Sequence, residues 1–403
     1  MEIMKQSEHV SIVREGDAVR KTWLSKLSPM FPYKSREVMF YTLAKGVPGV
    51  AEMIEHGEDY ILLRHYPKNW NDHVVPLGQR YREEVAGKLI QTLFGLHRRG
   101  ICHGDVNPGN IMMDENLNPF LIDSEFDQIP TGVPFYESFD VFGKPPVPLS
   151  WQGKAGNPVC YLNSVGPTIG FSAERAFDSF VEQLKARVVA CSGSEKGADF
   201  KDLGYAYSSY EFPGFALKGW RNTKVRMQVL GSVSFAGKTI LDVGSGTGTM
   251  LFEAARAGAK ECVGIEVNKD RVDAANDLSV YLGLKDKVRF VEGDPFVGGV
   301  EKVMELIHSL SGRKRFDMIL FLSLMGRIPN GEAIPTEMRK MCRELILETN
   351  HVDDKKPDHF ESLLKSSGFA DVRFLGKAWY KSDCENPIRY IFKADTLEFI
   401  EWE

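Results

Sequence analysis

The sequence predicts two domains of different class: an α+β domain over residues 1–190 and an α/β domain over 231–403, with 191–230 as linker and cap. Three observations predict this. The chain has 403 residues, more than one ordinary core organises. Short alternating segments and one long amphipathic helix fill the first half. From about residue 236 the pattern changes to short apolar runs separated by helical stretches, the signature of a parallel sheet covered on both faces.

In the first half, VSIVREG (10–16) and DAVRKTW (17–23) read as a strand pair turning near Gly16 and Asp17. SREVMFYTLAKG (35–46) has helical periodicity and a glycine stop. YILLRHY (60–66) reads as a short buried strand, and residues 79–100 as a long amphipathic helix ending at Gly100. Residues 128–170 are rich in Pro and Gly and are expected to form a long loop. The stretch 172–190 reads as a helix capped by Ser172, and the polar stretch 191–202 as a linker. In the second half TILDV, CVGIEV, VRFVEG, DMILFLS and LILET read as strands.

Composition narrows the classes. Hydrophobic residues make up 43% and charged residues 26%, as in soluble globular proteins. The net charge of -5 gives no whole-chain electrostatic footprint for nucleic acid. The six cysteines show no CxxC spacing, which points to buried thiols in a reducing compartment and not to a disulfide or zinc framework. The N-terminal MEIMKQSEHV lacks an apolar signal core, and no stretch has the length of a membrane span. The expectation is a cytoplasmic protein.

The strongest local motif is CHGDVNPGNIMMDENLNPFLIDSEFD (102–127). Asn110 follows Asp105 by five positions, and Asp123 closes the apolar run FLI. One loop and one strand end thus supply a carboxylate for an acceptor hydroxyl and oxygen ligands for magnesium. The arrangement resembles the catalytic loop and metal-binding Asp of the protein-kinase-like superfamily. Its His103-Gly104-Asp105 form, with Pro108, is similar to the small-molecule, sugar and lipopolysaccharide kinases. The resemblance covers about residues 5–130 and implies a bilobal kinase-like domain using ATP and Mg2+. It implies Asp105 as base or acceptor-orienting group, and Asn110 and Asp123 as metal ligands. Lys21 on a strand and Glu37 on the next helix fit the expected phosphate-binding lysine and its partner. Two departures stand out. Asp123-Ser124-Glu125 replaces Asp-Phe-Gly, and Glu125 either assists the metal or stands exposed. No GxGxxG precedes Lys21, and the corresponding turn is expected near Ser7-Glu8-His9.

The second motif is TILDVGSGTGTM (239–250), a strand, a glycine turn and a helix start. Gly244, Gly246 and Gly248 leave room for a ligand against the backbone. Glu266 ends the next strand, where a carboxylate can take ribose hydroxyls, and Asp294 is expected at the end of the one after, facing an adenine amino group. This spacing resembles class I methyltransferases that use S-adenosylmethionine (SAM), a Rossmann-like fold, over about residues 205–395. The resemblance implies that Asp242 reaches the methionine end of SAM. In-line methyl transfer needs alignment more than a nucleophilic residue.

Residues 205–227 either cap the sheet or form a wall of the acceptor pocket, with Arg221 or Lys224 meeting an anion. This stretch looks like the equivalent segment of bifunctional kinase–methyltransferases that terminate O-antigen chains, with the domain order reversed here. That resemblance implies phosphorylation of a glycan or small-molecule hydroxyl, then methylation of the phosphate or a nearby oxygen, with Arg221 and Arg327 as candidate anion contacts. Two other readings remain open: a methyltransferase governed by a non-catalytic ATP-binding module, and a protein- or RNA-modifying enzyme. The oligomeric state is not legible.

Overall fold

The computed structural model describes residues 2–24, 31–125, 127–129, 131–137, 173–192, 205–350, 356–381 and 384–396. Most of the Pro/Gly-rich stretch, the Ser172 cap and the polar linker from 193 onward lie outside the described residues. The chain divides into two compact units, Met1–Gln183 and Leu184–Glu403. The division falls inside the helix Ala173–Cys191 rather than after residue 190. Its last turns belong with the second unit, where Arg187 pairs with Asp277 at 2.5 Å and Arg271 Nε donates to the Cys191 carbonyl at 2.9 Å.

The first unit opens with β1 (Glu2–Gln6), β2 (Val10–Glu15) and β3 (Ala18–Trp23). The helix α1 (Phe31–Leu43) precedes β4 (Met53–His56) and β5 (Tyr60–Arg64). These strands form one antiparallel sheet in the order β1-β2-β3-β5-β4. The β2–β3 hairpin turns at Gly16, whose φ of 64° a side chain would resist. β4 was not expected: its burial runs from half-buried to exposed without alternation, so no period marks it. Trp23 of β3, Phe40 of α1, and Ile61 and Leu63 of β5 are all buried.

Beyond the sheet, α2 (Gln79–Arg98) buries Val85, Leu89, Ile90 and Leu93 along one face. β6 (Lys68–Asn69), which precedes α2, forms a three-stranded sheet with β8 (Ile111–Met113) and β9 (Pro119–Leu121), and β7 (Ile101–Cys102) lies between α2 and β8 in sequence. In the β8–β9 hairpin, Ile111 pairs with Leu121. The residues flanking that pair are therefore neighbours, and Ile122 N–H donates to the Asn110 carbonyl at 3.0 Å. The Asp114 carboxylate ties the turn by accepting the N–H groups of Asn116 and Asn118 at 2.9 and 2.8 Å.

In the second unit, a seven-stranded sheet takes the order Val288–Glu292, Glu261–Glu266, Thr239–Val243, Phe316–Leu322, Cys342–Glu348, Cys384–Asp395, Asp371–Lys381. The first five are parallel, and the last two form an antiparallel hairpin against them. All five apolar runs read from the sequence are strands of this sheet. Their runs are apolar because helices cover both faces, as the buried Leu241, Ile265, Ile319 and Leu345 show. The strand Thr239–Val243, the middle one of the five parallel strands, is wholly buried. Among the described residues, Cys102, Cys262 and Cys342 are buried and form no disulfide, and no helix is long and apolar enough to cross a membrane.

Candidate active sites

In the first unit the structure brings Lys21, Glu37, Asp123, Asn110 and Asp105 together. Lys21 Nζ lies 2.8 Å from Glu37 Oε2 and 2.5 Å from Asp123 Oδ1. The Glu37 carboxylate is buried, at 2% exposure, while the Asp123 side chain is exposed. Burial works against the Lys21 ammonium, but Glu37 and then Asp123 outweigh it and raise its pKa. Burial likewise opposes ionisation of Asp123, and Lys21 more than offsets it, holding that carboxyl below its ordinary range. Asp123 has a φ of 57°, a strained left-handed conformation that Asp tolerates better than most residues. Its N–H donates to the Tyr41 hydroxyl at 3.2 Å, which fixes the turn.

Asn110 Nδ2 donates to the Asp105 carboxylate at 2.8 Å and to the Asp105 carbonyl at 2.9 Å, and reaches the Asp123 carbonyl at 3.4 Å. Asn107 Nδ2 holds the other Asp105 oxygen at 2.9 Å. Burial pushes the Asp105 carboxyl up, and these two amides pull it partly back. His103 is fully buried between Ile122, whose carbonyl is 3.0 Å from Nε2, and the Asp105 N–H, 3.3 Å from Nδ1. Burial lowers its pKa to about 4, so the ring is neutral, with the proton on Nε2 and the lone pair on Nδ1. The sequence reading missed His103 and Asn107 as positioning groups, although both stand inside the quoted motif.

Three carboxylates and one ammonium leave this cleft acidic, which suits a divalent cation. Among the described residues no three His, Cys, Asp or Glu side chains are placed to hold a metal alone. Magnesium characteristically takes one or two protein oxygens and completes its shell with phosphates and water, so Asp123 and Asn110 fit the group only together with a nucleotide. The turn between β1 and β2 is built as expected at Ser7-Glu8-His9. The Ser7 hydroxyl accepts the N–H groups of His9 and Val10 at 3.2 and 3.0 Å.

In the second unit, the turn after Thr239–Val243 carries Gly244, Gly246 and Gly248, all with positive φ. A Cβ on Gly246 would meet nothing within 4 Å, so the space above it is open. A Cβ on Gly248 would lie 2.3 Å from the Phe290 ring. That glycine is required by packing, and Gly246 faces the space a ligand needs. Glu266, buried at the end of its strand, accepts the Gly246 N–H at 2.9 Å and the Asn268 N–H at 3.1 Å. Burial raises the Asp242 carboxyl to about 7. The Tyr210 hydroxyl bonds Thr247, so the segment before the sheet grips the glycine turn itself.

Two expectations are corrected. Asp294 does not end its strand, which stops at Glu292. It lies exposed in the following turn, where its carboxylate accepts the Phe296 N–H at 2.9 Å. Arg221 does not stand on an open wall. It is buried against Glu348, with Nη2 2.5 Å from Oε1. Arg327 and Lys224 are exposed, Arg327 in the turn that follows Phe316–Leu322.

Residues 234–374 match the family model described as a methyltransferase domain. The chain is 35% identical over 83 residues to the ribosomal protein L11 methyltransferase of Deinococcus radiodurans, which covers 20% of this chain and 30% of that protein. It is 28% identical over 141 residues to the serine/threonine-protein kinase PknK of Mycobacterium tuberculosis, covering 33% of this chain and 12% of that protein. The chain thus spans less than a third of the length of these curated relatives. Among solved structures, the bifunctional kinase–methyltransferase WbdD aligns at 17% identity with a TM-score of 0.37, over 47% of this chain and 44% of that one.

Proposed function

We propose that the chain is a bifunctional enzyme. Its first unit, a kinase-like phosphotransferase, moves the γ-phosphoryl group of ATP to a hydroxyl of a glycan or other small molecule. Its second unit methylates the product on the phosphate or a nearby oxygen. The observation that carries the first half is the Lys21 ammonium held by Glu37 and Asp123 beside the Asn110–Asp105 contact.

Lys21 supplies a positive point charge for the nucleotide phosphates, and buried Glu37 fixes where that charge stands. Bound magnesium would neutralise charge developing on the transferred phosphoryl group. Asp105 accepts the proton of the acceptor hydroxyl as its oxygen bonds to phosphorus and the bond to the departing ADP oxygen breaks. Burial has raised the affinity of Asp105 for that proton, and Asn107 and Asn110 hold its oxygens in place. In the second unit, Glu266 anchors the Gly246 backbone and keeps the open side of the turn free for the methyl donor. An acceptor oxygen attacks the methyl carbon while the carbon–sulfur bond breaks and S-adenosylhomocysteine leaves. Alignment suffices for this displacement.

The test is mass spectrometry of candidate glycan acceptors incubated with ATP, magnesium and SAM. Gain of a phosphoryl and a methyl group supports the reading, and methyl gain without any phosphoryl gain overturns it. The β1–β2 turn, with Ser7, Glu8 and His9 in place of a glycine loop, favours a second reading: a methyltransferase regulated by an ATP-binding module without turnover. ATP bound but not hydrolysed or transferred would select that one.

A further inference from the structure

The glycine turn of the second unit is held from a segment that the family model does not reach. Residues 234–374 match that model, and Tyr210 precedes them. Tyr210 stands in a short hairpin, Tyr210–Phe212 paired antiparallel with Phe215–Leu217. It is buried, and so is Thr247. Its hydroxyl lies 3.2 Å from the Thr247 carbonyl and also meets Thr247 Oγ1. The two bonds are compatible. The phenol donates its one proton to the carbonyl, and its oxygen accepts the proton of the threonine hydroxyl. Burial pushes the phenol up to about 12, with the hydroxyls of Thr247 and Thr249 pulling it partly back, so this proton stays in place at neutral pH.

The turn is thereby fixed from several directions. Glu266 accepts the Gly246 N–H. The Phe290 and Phe252 rings close on Gly248, where an added Cβ would lie 2.3 and 3.0 Å from them. Tyr210 holds Thr247, the residue between those two glycines. What stays open is the space above Gly246. Gly244, Gly246 and Gly248 bring no side chains that could fix the turn from within, and glycine loses more freedom on ordering than any other residue. Ligand affinity at such a turn depends on neighbours that order it beforehand.

The hairpin is itself anchored. The Tyr281 hydroxyl donates to the Gly214 carbonyl, at the bend of the hairpin, at 2.7 Å. The Tyr210 ring meets Phe215 edge-on with centroids 5.7 Å apart, and Phe215 meets Tyr281 at 5.8 Å. Phe212 meets Phe252 at 6.0 Å. Ring contacts on both strands thus keep the Tyr210 hydroxyl at the turn.

We propose that Tyr210 is a positioning residue of the SAM site: its hydroxyl, supplied from upstream of the matched domain, holds the glycine turn in the shape that receives the methyl donor. The proposal deepens the reading of this turn as the SAM site and rests on it for the identity of the ligand. It assigns the hairpin to donor binding, beyond a role in covering the sheet.

The probe is S-adenosylhomocysteine, titrated into the full-length chain. Tyr210→Phe keeps the ring and removes the hydroxyl. Its dissociation constant, read by calorimetry, should rise about tenfold or more, the loss expected when a buried bond goes and leaves its partners unsatisfied. A role in packing alone gives a different pattern, a lower melting temperature with an unchanged dissociation constant. Phe212→Leu, which trims the same hairpin and spares the bond, should show that pattern. Should Tyr210→Phe fail to fold, Thr247→Val removes one of the two bonds from the other side and should also weaken binding. Amide hydrogen exchange without ligand supplies an independent readout: residues 244–248 should exchange faster in Tyr210→Phe than in the natural chain. Unchanged affinity in the folded variants, an equal loss in Phe212→Leu, or unchanged exchange at the turn overturns the proposal. If the natural chain binds no S-adenosylhomocysteine, the SAM reading falls, and exchange at the turn then decides whether Tyr210 holds it.

Discussion

Lys21 Nζ stands 2.5 Å from Asp123 Oδ1 and 2.8 Å from Glu37 Oε2, so one ammonium serves a buried carboxylate and an exposed one at once. Lys21→Met strands Glu37 in the interior. Breaking a buried pair in this way costs about 3 kcal/mol. Chemical denaturation should show that loss in the first unit, and ADP formation should fall to background. A first-unit stability equal to that of the natural chain would refute the pairing.

Asp105→Asn keeps the shape of the side chain and removes the proton acceptor. Phosphoryl transfer should drop by roughly 10²–10⁴-fold, the usual worth of a positioned base. SAM affinity, read by calorimetry, should not change. Full ADP production by this variant would reassign the base.

The two glycines of the SAM turn should separate. Gly246→Val places its side chain in open space, so the fold loses only the cost of a left-handed residue, about 1–2 kcal/mol, while SAM binding disappears. Gly248→Val drives into Phe290 and should unfold the second unit. Calorimetry with SAM and circular dichroism distinguish the outcomes. Retained SAM binding by Gly246→Val would mean the ligand lies elsewhere.

Asp242 and His103 should give the two units opposite responses to pH. Burial raises the Asp242 carboxyl from 3.8 to about 7, so the folded second unit keeps a proton that the unfolded chain has released. Its contribution to stability is therefore lost progressively as pH rises from about 4 to about 7. Asp242→Asn should remove that decline. Burial lowers His103 from 6.5 to about 4, so the unfolded chain binds a proton that the folded first unit refuses. The first unit should weaken as pH falls from 6.5 toward 4. Thermal melts across pH 4–8 check both, and a second-unit transition in Asp242→Asn with the same pH slope as the natural chain would exclude Asp242 as the cause.

What the sequence made legible was chemistry carried on contiguous residues. Asp105, Asn107, Asn110 and Asp123 are close in the chain because one hairpin supplies them, and the glycine turn with Glu266 lies within one strand–helix–strand unit. Lys21 and Glu37 could be found only by their order before that loop. The grip of Tyr210 on Thr247 was not legible. It joins a short strand to a turn farther along the chain, and Tyr210 alone is one of several aromatic residues that read as a cap. Asp294 was misplaced by two residues because Gly293 and Asp294 prolong the apparent run past the last ladder pair, Glu266 with Glu292.

The Asp114–Asn118 turn acts as a ruler. Because Ile111 faces Leu121 across the hairpin, the number of residues between them decides whether Asn110 and Asp123 arrive side by side. One inserted residue would slip the ladder and send alternate side chains to the wrong surface. The spacing of this bend, though none of its atoms belongs to the proposed chemistry, is therefore as constrained as the identity of the groups it delivers.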